Sequence, residues 1–309
     1  MKPKGLISVV IPIMNEQGNL PFLVDRLNQV FEESWQYEVL FIDDGSTDST
    51  LEYIKDLNEK DKKFNFISFS RNFGHQVALR AGLDHANGDC VISMDGDLQH
   101  PPELIPDMIN KWRDGNDIVY SIRKDDQSNN RFKRITSATF YWMMNRLSDV
   151  KFKKGTADFR LLDKSIISVL RNFDENPLFL RGIINWIGFK QCAIEYIPEE
   201  RYWGESKYPI SKMYRLALTG ITSFSIKPLQ ISSILGTIIA SISFFYGLYA
   251  IILKLFTSRA IPGWTSTLLL TAFLGGIQLL MIGIIGEYLG KLFIESKRRP
   301  PYLIREKSI

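Results

Sequence analysis

Cysteine is scarce in this sequence: Cys90 and Cys192 are the only two in 309 residues. They stand far apart, and Cys90 lies in an apolar run, so a disulfide framework is excluded and buried free thiols are expected. Histidine is scarcer than a metal cluster needs, with only His75, His85 and His100, none at ligand spacing from another. Of these, His100 alone is close enough to a pair of carboxylates to count as a secondary candidate. No G-x-G-x-x-G follows the first apolar run and no G-x-x-x-x-G-K-[ST] occurs, which disfavours a dinucleotide-dependent oxidoreductase and a P-loop NTPase. Charge of one sign is nearly absent in excess. The net charge of +4, without a long basic run interleaved with aromatics, gives no case for a nucleic-acid partner. The N-terminal apolar run is too short for a signal peptide and has no small-residue cleavage site. It reads as a first strand.

What is present is an alternation. Apolar, β-branched runs at 6–13, 37–42, 64–69, 90–94 and 118–122 predict strands buried on both faces. Between them, amphipathic segments predict helices over 19–31, about 48–57 with Thr47 or Asp48 as cap, 76–85 and 102–113. Five such repeats with short connections predict an α/β fold, an open and mostly parallel sheet with helices on both faces. Ligands of such sheets bind outside the carboxyl ends of the strands. Asn15/Glu16, Asp43/Asp44, Arg71/Asn72 and Asp95/Asp97 all fall there.

Asp95 and Asp97 flank a single glycine where the chain leaves its strand. Two carboxylates so spaced can reach one hard cation, Mg²⁺ or Mn²⁺, with the Gln99 carbonyl as a third oxygen. A D-x-D alone is more often a solvated turn. Its place as the fourth polar cluster on one sheet edge favours a metal–diphosphate site, with Asp43 or Asp44 accepting from a ribose or a base and Arg71 near phosphate or sugar. After residue 122 come further helical segments at 131–147, 164–172 and 178–187, and strands entered near 156 and at 191–197. Arg123, Arg131, Arg134, Arg201 and Lys207 are cations suited to an anionic acceptor, and Asp158 is the carboxylate expected beside it, as orienter or base.

Residues 208–228 read as an amphipathic interfacial helix, and two apolar stretches at about 231–256 and 264–290 exceed the roughly 20 residues that cross a bilayer. The basic residues of the 294–309 tail, against Arg259 and Lys254 near the inter-helix turn, predict a membrane hairpin with residues 1–207 and the tail cytoplasmic.

The set Val9-Val10-Ile11-Pro12 with Asn15-Glu16, Asp43-Asp44-Gly45-Ser46-Thr47-Asp48, Arg71-Asn72-Phe73-Gly74 and Asp95-Gly96-Asp97-Leu98-Gln99-His100-Pro101-Pro102 resembles glycosyltransferase family 2. With Gly155–Arg160, the 201–207 loop and the hairpin, the chain looks most like its polyprenyl-phosphate glycosyltransferases. The resemblance implies a GT-A fold and an inverting, metal-dependent transfer from a nucleotide sugar, UDP-glucose being a common donor, to undecaprenyl phosphate. It places the nucleotide sugar near Pro12, Met14, Glu16, Asp43, Asp44, Arg71, Asp95 and Gly96, and the lipid phosphate near Arg123, Arg131, Arg201, Ser206 and Lys207. Met14 stands where the family often has an aromatic residue. GDP-mannose, UDP-GlcNAc or a UDP-4-amino-arabinose derivative are alternative donors, and a non-catalytic sugar-nucleotide-binding scaffold is the alternative class. A processive synthase is disfavoured because no Q-x-x-R-W occurs. A homo-oligomer and a flippase partner are compatible with this reading.

Overall fold

The computed structural model describes residues 5–31, 35–124, 146, 155–173, 175, 180–199, 222, 225–256 and 263–309. The first repeats follow the predicted order: β1 (Ile7–Ile13), α1 (Leu20–Phe31), β2 (Tyr37–Asp43), α2 (Thr50–Lys60), β3 (Phe64–Phe69), α3 (His75–His85) and β4 (Cys90–Ser93). A short 3₁₀ turn (Pro102–Leu104) then leads into α4 (Ile105–Arg113) and β5 (Ile118–Arg123). Next come β6 (Thr156–Asp163), α5 (Lys164–Leu170), α6 (Leu180–Trp186) and β7 (Gln191–Tyr196). Two long helices, α7 (Lys227–Phe256) and α8 (Trp264–Ser296), precede β8 (Ile304–Lys307).

The strands form one sheet in the order β7-β5-β6-β4-β1-β2-β3-β8. β1 is parallel to β2 and β4, β2 to β3, and β5 to β7. β6 enters antiparallel between β4 and β5, and β8 lies antiparallel along β3. The sheet is therefore mixed, and two of its members were not expected where they lie. The 294–309 segment, read as a basic tail, supplies the strand that covers the free edge of β3. Its sequence Ile-Arg-Glu-Lys is typical of a protected edge and carries little apolar signal.

Alternate residues of each strand feed two cores. Val9, Ile11, Val39, Phe41 and Ile92 pack under α1 and α4, while Val10, Leu40, Ile42 and Val91 pack under α3, α5 and α6. Every residue of β1 is buried, which explains its unbroken apolar run. Each large side chain so buried contributes about 1.5–3 kcal/mol relative to exposure. Pro12 is tolerated in this central strand because of where β4 stops. Val10 accepts from Met94 on the β4 side, and β1 and β4 are last paired at Val10 and Ser93. Pro12, two residues on, therefore turns its missing N–H toward a ladder that has ended. The α2 cap also departs from expectation. The helix starts at Thr50, whose amide donates to Asp48, and Ser49 at the N-cap makes no side-chain bond.

α7 and α8 have 30 and 33 residues, about 45 and 50 Å at 1.5 Å per residue. Both exceed the roughly 30 Å apolar thickness of a bilayer. Segments Lys227–Tyr249 and Phe273–Ser296 are long and apolar enough to cross a membrane, and almost none of their side chains are buried. Ile242, Phe244, Phe245 and Leu279 are each more than 60% exposed, a surface that water does not favour. The interfacial helix at 208–228, apart from Thr222 and residues 225–228, and the predicted 131–147 helix, apart from Arg146, lie outside the described residues.

Candidate functional site

The loops after β1, β2, β3 and β4 meet at one edge of the sheet. Because β6 runs opposite to β4, it brings its first residues to that same edge. Ser93 at the end of β4 pairs with Arg160 and donates through its hydroxyl to the Asp158 carbonyl at 2.6 Å. This pairing sets Asp158 beside the Asp95–Asp97 turn.

The first three loops are laced together by their own polar side chains. Asn15, at φ 57°, accepts from the Thr47 amide at 2.8 Å, and its own amide donates to Ser46. Glu16 takes the Asn19 side-chain amide at 2.6 Å, and its N–H reaches Thr50. Asp43 accepts from the Ser46 amide at 2.9 Å and the Ser68 hydroxyl at 2.7 Å, one on each oxygen. Asp44 accepts from the amides of Phe73 and Gly74 at 2.6 and 2.9 Å. Burial pushes the Asp44 carboxyl up, against those two amides. Asp43 and Asp44 thus shape the binding edge from within, more than they line it. Gly45, at φ 72°, lies so close to the Arg71 backbone that a Cβ would meet it at 2.6 Å. Arg71 lies over the Phe73 ring at 4.1 Å, and Met14 receives the Asn72 amide on its sulfur at 2.7 Å. Met14 and Arg71 are exposed at the mouth, and Pro12 is buried beneath.

The Asp95–Asp97 turn is tightly built. Asp95 is bonded to His75 Nε2 at 2.8 Å, and its N–H donates to His100 Nδ1 at 3.0 Å. His100, accepting on Nδ1, stacks on Phe159 with the rings 5.2 Å apart. Burial pushes the Asp95 carboxyl up, but the His75 hydrogen bond and the nearby His100 bring it below its ordinary range. Burial pulls His75 down, yet the Asp95 hydrogen bond and charge leave it raised. Asp97 is buried and accepts from the Gln99 amide at 3.2 Å. Leu98 between them is at φ 62°, a strained conformation for a branched side chain. Gly96 sits against Ile13, where a Cβ would come within 2.8 Å of a methyl group.

Asp158 is a buried carboxylate. Arg181 donates to it through Nε and Nη2, both at 2.7 Å, and Gln76 donates at 3.1 Å. Arg160 lies 3.7 Å away. Burial alone would raise the Asp158 carboxyl, but the Arg181 charge and hydrogen bonds hold it far below the carboxylate range. Burial in turn pulls Arg160 down to about 10. Arg160 Nη2, ion-paired with Asp158, and the Gln76 Oε1 are buried and make no protein hydrogen bond, so the site keeps hydrogen-bonding capacity beside Asp158. Burial pushes the Tyr196 phenol up to about 12, opposed by Arg123 and reinforced by Asp95 and Asp97.

Arg123 ends β5, with its N–H on the Gly155 carbonyl. Arg131, Arg134, Arg201, Ser206 and Lys207 lie outside the described residues. The structure adds His75, Gln76 and Arg181, which sequence reasoning did not select. Arg181 is on a helix far along the chain, and no local spacing signals its bond to Asp158. Among the described residues no three His, Cys, Asp or Glu side chains gather to hold an ion by themselves. The donor set of Asp95 and Asp97, all oxygen, fits a hard cation such as Mg²⁺ or Mn²⁺.

A family model described as glycosyl transferase family 2 matches residues 8–170. A prophage bactoprenol glucosyl transferase homolog of Escherichia coli (strain K12) is 42% identical over 301 residues, covering 97% of this chain and 98% of that protein. Bactoprenol glucosyl transferase of Shigella phage SfV is 42% identical over 302 residues, with coverage of 97% and 98%. An uncharacterized glycosyltransferase of Bacillus subtilis (strain 168) is 40% identical over 300 residues, covering 97% and 93%. The expected order of strand-end clusters and the full-length match agree: this chain is a glycosyltransferase and belongs to glycosyl transferase family 2.

Proposed function

We propose that the protein transfers glucose from UDP-glucose to undecaprenyl phosphate at the cytoplasmic face of a bacterial inner membrane. The observation that carries this reading is the convergence of Asp95, Asp97, Asp158 and Arg181 on one sheet edge of a chain that ends in two exposed apolar helices. The names of the full-length relatives support bactoprenol as the acceptor and glucose as the sugar.

The phosphate of the acceptor is largely ionised near neutral pH, so its oxygen attacks the anomeric carbon without a strong base. The bond from that carbon to the nucleotide diphosphate breaks on the opposite face, giving inversion. The protein holds two anions close, in line and away from water. Asp95 and Asp97, with Gln99 beside them, would hold Mg²⁺ or Mn²⁺, which neutralises charge on the departing diphosphate. Pro12, Met14, Glu16, Arg71 and Gly96 frame the nucleotide sugar, on loops fixed by Asp43 and Asp44. Arg123, with Arg131, Arg201, Ser206 and Lys207, binds the lipid phosphate. Both Asp158 oxygens already accept from Arg181 and Gln76, so its role is to orient those two side chains. Arg160 Nη2 beside it, ion-paired but without a hydrogen bond, suits a substrate oxygen or a water.

In this arrangement residues 1–207 are the catalytic domain and α7 and α8 form a membrane hairpin. Lys291, Lys297, Arg298 and Arg299 near its outer ends favour the cytoplasmic side. The test uses the full chain in lipid nanodiscs with Mg²⁺, radiolabelled UDP-glucose and undecaprenyl phosphate. Lipid-extractable label with stoichiometric UDP release is expected. Donor binding without product, across UDP-glucose, UDP-GlcNAc, GDP-mannose and UDP-4-amino-arabinose derivatives, would favour a scaffold instead.

A further inference from the structure

The segment after α8 does more than cover an edge. Its strand pairing runs Ile67 with Lys307, Ser68 with Glu306 and Phe69 with Ile304. The contact continues past the strand, where the Ser70 N–H donates to the Leu303 carbonyl at 3.0 Å. Tyr302 stacks on Phe69, rings 5.1 Å apart and 17° from parallel. Phe69 meets Phe73 edge-on at 5.6 Å. Phe73 carries Arg71 over its ring, and its N–H is held by Asp44. The 70–74 loop is thus gripped by Asp44 on one side and by Tyr302 and Leu303 on the other. It leads straight into α3, whose first residue is His75 on Asp95.

From this geometry we infer that Tyr302 is a positioning residue: it sets the 70–74 loop, and with it the nucleotide-sugar site, from the exit of membrane helix α8. Five residues separate Ser296, the last of α8, from Tyr302. A shift of the helix end is therefore conveyed to the loop through a short, Pro-Pro-stiffened link, Pro300-Pro301. The inference rests on the 70–74 loop contacting the donor, as proposed above.

Tyr302 also borders a cavity of about 1040 Å³ between α3 and the end of α8. Tyr302 is only half-buried, at the rim of that cavity and outside the sheet's buried cores, so Tyr302→Ala is expected to fold. The experiment takes the full chain in nanodiscs as wild type, Tyr302→Ala and Tyr302→Phe. Amide hydrogen exchange at Phe73 and Gly74 reads the loop without substrate, and the Leu23 amide in α1 serves as control. Tyr302→Ala is expected to speed exchange at Phe73 and Gly74 by about tenfold and leave Leu23 unchanged. It is also expected to raise the donor KM about fivefold, with kcat within twofold and the KM for lipid phosphate unmoved. Tyr302→Phe should restore both, since it keeps the stacking ring. Unchanged exchange at Phe73 and Gly74 overturns the inference, as does acceleration shared equally by Leu23. So does a drop in kcat with an unaltered donor KM. A wild type that turns over no nucleotide sugar defeats the donor reading, while the exchange result still decides whether Tyr302 sets the loop.

Discussion

Arg181 closes on Asp158 as a two-armed fork, Nε on one carboxylate oxygen and Nη2 on the other, each at 2.7 Å. The carboxylate is buried while the guanidinium side chain remains 39% exposed. The pair therefore anchors a solvent-facing cation in a fixed orientation next to the Asp95–Asp97 turn. A planar fork is required, so Arg181→Lys should lower kcat/KM by roughly 10–100-fold. Arg181→Ala should also destabilise the fold by about 1–3 kcal/mol, because a buried acceptor loses its donors. Turnover assays and urea melts on both variants check this. Equal activity for Arg and Lys would show that charge alone suffices.

Asp158 also sets an acid limit. Its folded carboxyl sits far below the ordinary value of about 3.9, held there by Arg181 against the cost of burial. The stabilisation is therefore fully present above about pH 4 and disappears as the pH falls below it. Asp158→Asn should flatten the acid limb of a stability-versus-pH curve below about pH 4. It should leave the slope between pH 6 and 8 as in wild type. Circular dichroism melts at stepped pH provide the measurement.

The Asp95–Asp97 turn predicts a linkage between cation and fold. Saturating Mn²⁺ at about 100 times its Kd should stabilise the wild type by about 2.7 kcal/mol. Asp97→Ala should lose that increment and reduce transfer by about 100-fold or more. An Asp97→Ala variant that keeps both Mn²⁺ stabilisation and turnover would remove Asp97 from the cation's shell.

Between these two acids, Gly96 leaves no room for a side chain. Its Cβ would stand 2.8 Å from the Ile13 methyl in a fully packed strand. Gly96→Ala should cost about 1–3 kcal/mol and displace the turn. Ile13→Ala removes the Cγ2 methyl, so Gly96→Ala should cost less in the Ile13→Ala background than in wild type if the clash is with that methyl. Double-mutant melts separate that contact from a general effect.

How far residues could be read in advance depended on whether their partners were local. β3, residues 64–69, lies where its apolar run put it, because both of its faces are buried and the pattern is carried by its own side chains. Nothing local in Thr156–Asp163 indicates that it slots antiparallel between β4 and β5. That register is set by partners such as Cys90 against Asp163, 73 positions apart. The strand-end clusters were legible because acids and amides bunch where apolar runs stop. Their division of labour was not. Asp43 and Asp44 look like ligand-facing acids in sequence; in the fold each also ties its own loops together through the amides of Ser46, Phe73 and Gly74. His75 and Arg181 passed unnoticed because each acts on a carboxylate 20 or 23 residues away, at a distance only the folded sheet closes.

The position of β8 in the chain gives the molecule an order of assembly. During synthesis, β3 emerges more than 200 residues before the strand that covers its edge, with both apolar helices made in between. Until Ile304–Lys307 is made, the outer edge of β3 has no strand along it. A chain cut short anywhere after β3 and before β8 would therefore carry an open sheet edge, a mark that chaperones and proteases can read.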